Sequence, residues 1–221
     1  MLYKYLPPER VDVVRNMAMR LTQLLSLNDP FEHSFMIGEH EYALDEDAST
    51  DEIKFVSLSR NHTNLLMWSH YAASHKGFCI GFKRRDPYFA PALSVRYRRL
   101  RSSFNGAVIN GETSNEITKR IALEKAIDWA YEEEERLFLD DVVVRSFEVG
   151  NDPWGRRIVL NPYPARSIAA IYVGLRGGTE LVGELVSALR FHGLDVDVFK
   201  ARRSRNEFGL NFNRIDQSDY L

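Results

Sequence analysis

Cysteine is nearly absent. The single Cys79 in 221 residues excludes an internal disulfide and any CxxC metal or redox motif, and a reducing cytoplasm is the expected setting. Long apolar runs are missing as well. The N-terminal Met1-Leu2-Tyr3-Lys4-Tyr5-Leu6-Pro7-Pro8 does not read as a signal peptide, and nothing approaches the roughly 18 apolar residues of a membrane span, so no membrane partner is expected. Charge of one sign is not in excess either: 29 Lys and Arg against 31 Asp and Glu leave a net charge of −2, which excludes a generally basic nucleic-acid coat. The six histidines form no HExxH or HxH pattern and have no partner cysteines, so no metal site is expected. A P-loop, GxGxxG and GxSxG are all missing, and no cofactor is named by motif.

With 44% hydrophobic and 27% charged residues the chain can bury a core, and its length suits one domain over residues 1–221. Alternation or apolar runs predict strands at Leu2 to Tyr5, Lys54 to Ser59, Gly77 to Phe82, Leu93 to Arg99, Arg136 to Leu139, Val142 to Val149, Ser167 to Val173, Val196 to Lys200 and Phe208 to Phe212. Helical spacing predicts helices from Pro8, from Asp29-Pro30, over Asn64 to Ser74, over Glu112 to Tyr131 and over Thr179 to His192. Strands and helices do not alternate regularly. The expected class is therefore α+β, a mixed or mainly antiparallel sheet of about eight strands with four or five helices. Residues 39–52 carry seven acids and no Lys or Arg, and are expected to form an acidic surface loop.

Three stretches could carry chemistry. In Trp129-Ala130-Tyr131-Glu132-Glu133-Glu134-Glu135-Arg136, an extended chain would put Glu132, Glu134 and Arg136 on one face, a carboxylate pair suited to acid/base work or to gripping ribose hydroxyls. A helix would make Glu132 and Arg136 an ordinary i,i+4 pair instead. In Met67 to Phe78, the turn His75-Lys76-Gly77 could hold phosphate, with His70 nearby, or else Trp68 and Tyr71 are core and His75 and Lys76 decorate a helix end. Between Lys83 and Arg101 lie seven cations and one acid, with Arg96 and Arg98 on the exposed face of one strand, and Lys200, Arg202, Arg203 and Arg205 form a later cluster. Against a net charge of −2, polynucleotide binding by the chain is expected to be weak at best, at Arg96 and Arg98 as elsewhere, and a small phosphate-bearing ligand is preferred.

Tyr3-Lys4-Tyr5, Asn28-Asp29-Pro30-Phe31-Glu32, Ser57-Leu58-Ser59, Met67-Trp68-Ser69-His70-Tyr71-Ala72, His75-Lys76-Gly77-Phe78 and Trp129-x-Tyr131-Glu132-x-Glu134-x-Arg136 occur in this order. Together they resemble the bacterial family called domain of unknown function 2971, from Leu2 to about Val173. The resemblance implies no established activity, cofactor or catalytic residue. By a looser analogy, a polar first strand, a Trp/Tyr helix and a late Glu-x-Glu strand follow the order of ADP-ribosyltransferase folds, with Lys4 where Arg or His is usual. The leading expectation is an enzyme acting on a nucleotide or nucleic acid. Glu132, Glu134 and His70 would be its catalytic candidates, and Lys4, Lys76, Arg136, Arg96 and Arg98 its ligand-binding candidates. The alternative is a non-catalytic binding module, of a defence or toxin system, whose motifs are a signature of the fold. Carboxylates placed for function seldom stabilise their site, so Glu132→Gln with Glu134→Gln is expected to leave the fold intact.

Overall fold

The computed structural model describes residues 1–43, 53–104, 114–138, 145–153 and 155–220. In chain order the strands of the first half are β1 (Leu2–Leu6), β2 (Ala18–Arg20), β3 (Thr22–Gln23), β4 (Ser34–Ile37), β5 (His40–Ala43), β6 (Lys54–Ser59), β7 (Phe78–Phe82), β8 (Leu93–Ser94) and β9 (Arg96–Arg98). The second half adds β10 (Glu124–Ala126), β11 (Glu134–Phe138), β12 (Phe147–Asn151), β13 (Arg157–Pro162), β14 (Ile168–Val173), β15 (Asp197–Arg203) and β16 (Leu210–Arg214). The α-helices are α1 (Asp12–Arg15), α2 (Leu65–Tyr71), α3 (Ser114–Ile121) and α4 (Thr179–Phe191).

The class is α+β. A mixed sheet runs in the order β16-β15-β14-β7-β1-β6-β11-β8, with β3 also paired to β6; β14 and β15 are parallel and the other pairs antiparallel. The strand period of two assigns its faces. Leu2 and Leu6 of β1, Ile80 and Phe82 of β7, and Ile171 and Val173 of β14 join one core cluster with Val14, Leu185 and Val198, beneath α1 and α4. Tyr3 and Tyr5, Cys79 and Tyr172 point the other way, into a second cluster with Trp68 of α2. No helix among the described residues is long and apolar enough to cross a membrane.

Most of the predicted elements lie where the periodicity puts them, and four of them differ. Asp29-Pro30 opens a turn rather than a helix, because Asp29 Oδ1 accepts the Phe31 N–H at 2.9 Å and the chain then enters the β4–β5 hairpin. The predicted Glu112 to Tyr131 helix is helical only over α3 within the described residues; β10 follows, paired in parallel with β9, then a 3₁₀ turn at Ile127–Glu132. Burial of Lys125 among carboxylates overrides the local helical pattern there. The Leu93 to Arg99 strand is divided into β8 and β9, which take different partners, β11 and β10. Of the acidic segment 39–52, residues 40–43 form exposed β5, and 44–52 lie outside the described residues, as do 139–144 of two predicted strands.

Candidate functional site

β1 and β6 are joined by a single register pair, Tyr3 with Ser59, so the sheet opens between them. Lys4 spans the opening, its Nζ donating to the Ser57 carbonyl at 3.0 Å. A cavity of about 220 Å³ lies there, lined by Lys4, Tyr71, Ser57, Lys125, Glu132 and Glu134 among others.

The Glu-rich stretch reaches this cavity by combining both conformations left open by its sequence. Glu132 ends the 3₁₀ turn, Glu133 takes a left-handed conformation at φ 45°, and Glu134 starts β11. Glu134 and Arg136 then share a face of β11, and the turn brings Glu132 alongside them. Arg136 is fully buried. Its Nε donates to Glu134 Oε1 at 2.8 Å and its Nη2 to Glu134 Oε2 at 2.9 Å, a bidentate pair, while Nη2 also meets Glu32 and Nη1 meets the Ala122 carbonyl. Its guanidinium carbon is 4.7 Å from the centre of the Phe55 ring. Lys125 Nζ lies 2.7 Å from Glu132 Oε2, 3.4 Å from Glu32 Oε2 and 3.6 Å from Glu134 Oε2. Tyr71 donates its hydroxyl to Glu132 Oε1 at 2.5 Å, and Tyr97 accepts the Glu134 N–H at 2.7 Å.

Three carboxylates, Glu32, Glu132 and Glu134, are thus balanced by Lys125, Arg136 and the nearby Lys4. Burial pushes the Glu134 carboxyl up, but Arg136 and Lys125 outweigh burial and hold it at about 2. Burial raises Glu32 against the same two cations. Lys4 is pulled down to about 8, by burial first, with Glu134 opposing. Glu134 is therefore ionised at neutral pH, an acceptor and not an acid, whereas Lys4 exchanges a proton near neutrality.

The other sequence candidates are dispersed. His70 lies outside the cavity lining, with Nδ1 3.2 Å from the Tyr131 hydroxyl. Lys76 is exposed on the turn before β7, where its carbonyl approaches Gly177. Arg96 and Arg98 are exposed on β9, and Arg98 Nε sits 3.3 Å from Glu124. Arg98 lines a second cavity of about 280 Å³ on the far side of Lys125. The composition-based reading missed Lys125, hidden in a predicted helix, and gave no role to Glu32, Ser57 and Tyr71. Those three lie within the Asn28 to Glu32, Ser57 to Ser59 and Met67 to Ala72 motifs, which was the available signal. Among the described residues no three His, Cys, Asp or Glu side chains converge as a metal set would.

Comparison with curated proteins and with solved structures finds no match in either set. The family comparison covers a shorter stretch than Leu2 to Val173, but one that contains α2, Lys125, Glu132, Glu134 and Arg136. Residues 67–137 match the family model described as Protein of unknown function (DUF2971), and over that segment the chain is similar to the domain of unknown function 2971 family.

Proposed function

We propose that the cavity between β1 and β6 is the active site of an enzyme acting on a nucleotide or a similar small, ribose- and phosphate-bearing ligand. The observation that carries the reading is the meeting of Lys4, Glu132 and Glu134, more than 120 residues apart in sequence, in one cavity. Glu134, as an ionised acceptor, and Glu132 beside it suit a pair of sugar hydroxyls. Lys4 makes one hydrogen bond among the described residues, to Ser57, leaving donors for a phosphate, and its lowered pKa suits it to proton transfer at working pH. The volume of about 220 Å³ falls below the roughly 300 to 1,000 Å³ usual for whole drug-sized ligands, so a pentose phosphate unit is the part enclosed. The single, fully buried Cys79 fits a reducing cytoplasm as the place of action.

Calorimetric titration with ribose 5-phosphate, adenosine monophosphate and inorganic phosphate tests this. Wild type is expected to bind the two sugar phosphates more tightly than phosphate alone, and Lys4→Met and Glu132→Gln each to weaken them at least tenfold. Equal affinity in all three proteins, or no binding to wild type, would overturn it. One observation favours the non-catalytic reading: both Glu134 oxygens are held by Arg136, which is what a network fixing the turn-to-strand junction requires. Under that reading sugar phosphates do not bind, and the variants differ only in stability.

A further inference from the structure

The basic run Lys200, Arg202, Arg203 and Arg205 has no part in the cavity between β1 and β6. It occupies β15 and the turn into β16, the outermost strand at the opposite end of the sheet from β8. Lys200 is already committed: its Nζ donates to the carbonyls of Gly174 at 2.6 Å and Gly177 at 2.5 Å, which ties the loop bearing Arg176 to β15. Arg176, Arg202, Arg203 and Arg205 are exposed. Among the described residues none of these four is within ion-pair distance of a carboxylate; the ion pair seen on the hairpin is Arg214 with Asp197 at 2.7 Å.

Their arrangement is regular. Lys200 is in register with Asn213 and Arg202 with Asn211, so two cations and two side-chain amides share one face, roughly 6 to 7 Å apart along the strand. Two shallow basins of about 620 and 510 Å³ meet at Arg202, Arg203 and Arg205. Arg176 and Lys200 complete the first, Asn211 and Asn213 help complete the second, and neither has an acidic residue in its lining. At the hairpin tip Phe208 is entirely exposed, 104% relative to a reference chain.

We propose that the β15–β16 hairpin is a docking surface for single-stranded nucleic acid, with the arginines on successive phosphates, the asparagine amides at base edges and Phe208 stacked on a base. Each group does what such surfaces require: cations that track a backbone, neutral donors and acceptors, and a ring that needs an unstacked base to cover it. An anionic membrane would satisfy the arginines equally, but Phe208 stands alone, without the broad apolar face that interfacial segments bury. This surface is distinct from Arg96 and Arg98 and departs from the sequence-based expectation of weak polynucleotide binding, because its arginines are gathered on one hairpin; it does not depend on the sugar-phosphate reading of the cavity, which is tested by a separate titration.

Fluorescence anisotropy of the full chain with a labelled 20-nucleotide uridine RNA and its DNA counterpart, at 50 and 200 mM salt, decides it. With about three phosphates neutralised, the log–log salt slope is expected near −2, from roughly −0.7 per phosphate on a single strand. The triple variant Arg202→Ala/Arg203→Ala/Arg205→Ala should bind at least tenfold more weakly and Phe208→Ala about fivefold more weakly, the low end of a lost base stack. Their thermal midpoints should match wild type, since the altered side chains are exposed. No binding by wild type, salt-independent binding, full affinity in the triple variant, or binding to phosphatidylserine vesicles at affinities equal to or above those for RNA would each overturn the proposal.

Discussion

At the scale of single residues, the buried charge cluster makes opposite demands on neighbouring side chains. Glu134 stabilises the fold because it is the main counter-charge to Arg136, which has no exposed surface. Glu134→Gln leaves a buried guanidinium half-paired and is expected to cost about 3 to 5 kcal/mol, read from chemical denaturation. That replaces the sequence-based expectation that glutamine at both positions leaves the fold intact. The pH signs also oppose one another. Glu134 titrates at about 2 in the fold against a reference of 4.5, so its contribution is present above 4.5 and is lost as pH falls toward 2. Lys4 titrates at about 8 against 10.5, so between these values the unfolded chain holds more protons and stability rises with pH. Lys4→Met should therefore raise the thermal midpoint at pH 7 and abolish the rise between pH 8 and 10.5. A midpoint that falls on this substitution would mean that the Ser57 hydrogen bond outweighs the cost of burying the ammonium.

At the scale of elements, the turn between α2 and β7 is held by close backbone approach. Ala73, Ser74 and His75 all have positive φ, at 47°, 54° and 69°, a conformation that costs side-chain-bearing residues roughly 1 kcal/mol or more each. It persists because Gly77 lets the chain come against β1: a Cβ there would sit 2.1 Å from the Leu6 carbonyl oxygen, and one at Gly174 would sit 2.3 Å from that of His75. Gly77→Ala is thus expected to prevent stable folding, while Ser74→Gly should be neutral or stabilise by up to about 1 kcal/mol, both read from thermal melts. Repeating patterns made much of the fold legible in the sequence. Buried runs such as Phe78–Phe82 and Ile168–Val173, and the glycine-bounded Thr179–Phe191, announce themselves because side-chain period and burial coincide. β10 did not, since Glu124-Lys125-Ala126 has no strand pattern and is held by β9 and by the carboxylates around Lys125. The Glu132 and Glu134 half of the site was legible as an excess of carboxylates, and Lys4 as part of a motif. The compensating Lys125 was not, and Glu32 was marked by a motif but not as a counter-charge, because ion pairing between distant segments leaves no periodic trace.

At the scale of the whole molecule, strand order departs from chain order at its centre. β1, made from Leu2–Leu6, lies between β7 and β6, whose partner residues come from 59 to 82. Backbone amides of Tyr3 to Tyr5 should accordingly exchange hydrogen among the slowest in the protein, as measured by native-state exchange, because releasing them separates the β7–β14–β15 half from the β6–β11 half. Deleting residues 2–6 is expected to leave no cooperative thermal transition, whereas deleting residues 217–220, a 3₁₀ turn that lends the core only the half-buried Tyr220, should lower the midpoint but keep the transition cooperative. The central place of β1 also sets a timetable during synthesis. At roughly 5 to 20 residues per second, about 4 to 16 s pass between the emergence of β1 and that of Phe82, and longer before β14 covers β7. Until β6 emerges, Leu2 and Leu6 on one side and Tyr3 and Tyr5 on the other belong to a strand with two bare edges, and from then until Phe82 the edge that β7 covers stays bare. A nascent chain halted at residue 75 should therefore be captured by chaperones or aggregate, and one halted beyond Val173 much less so.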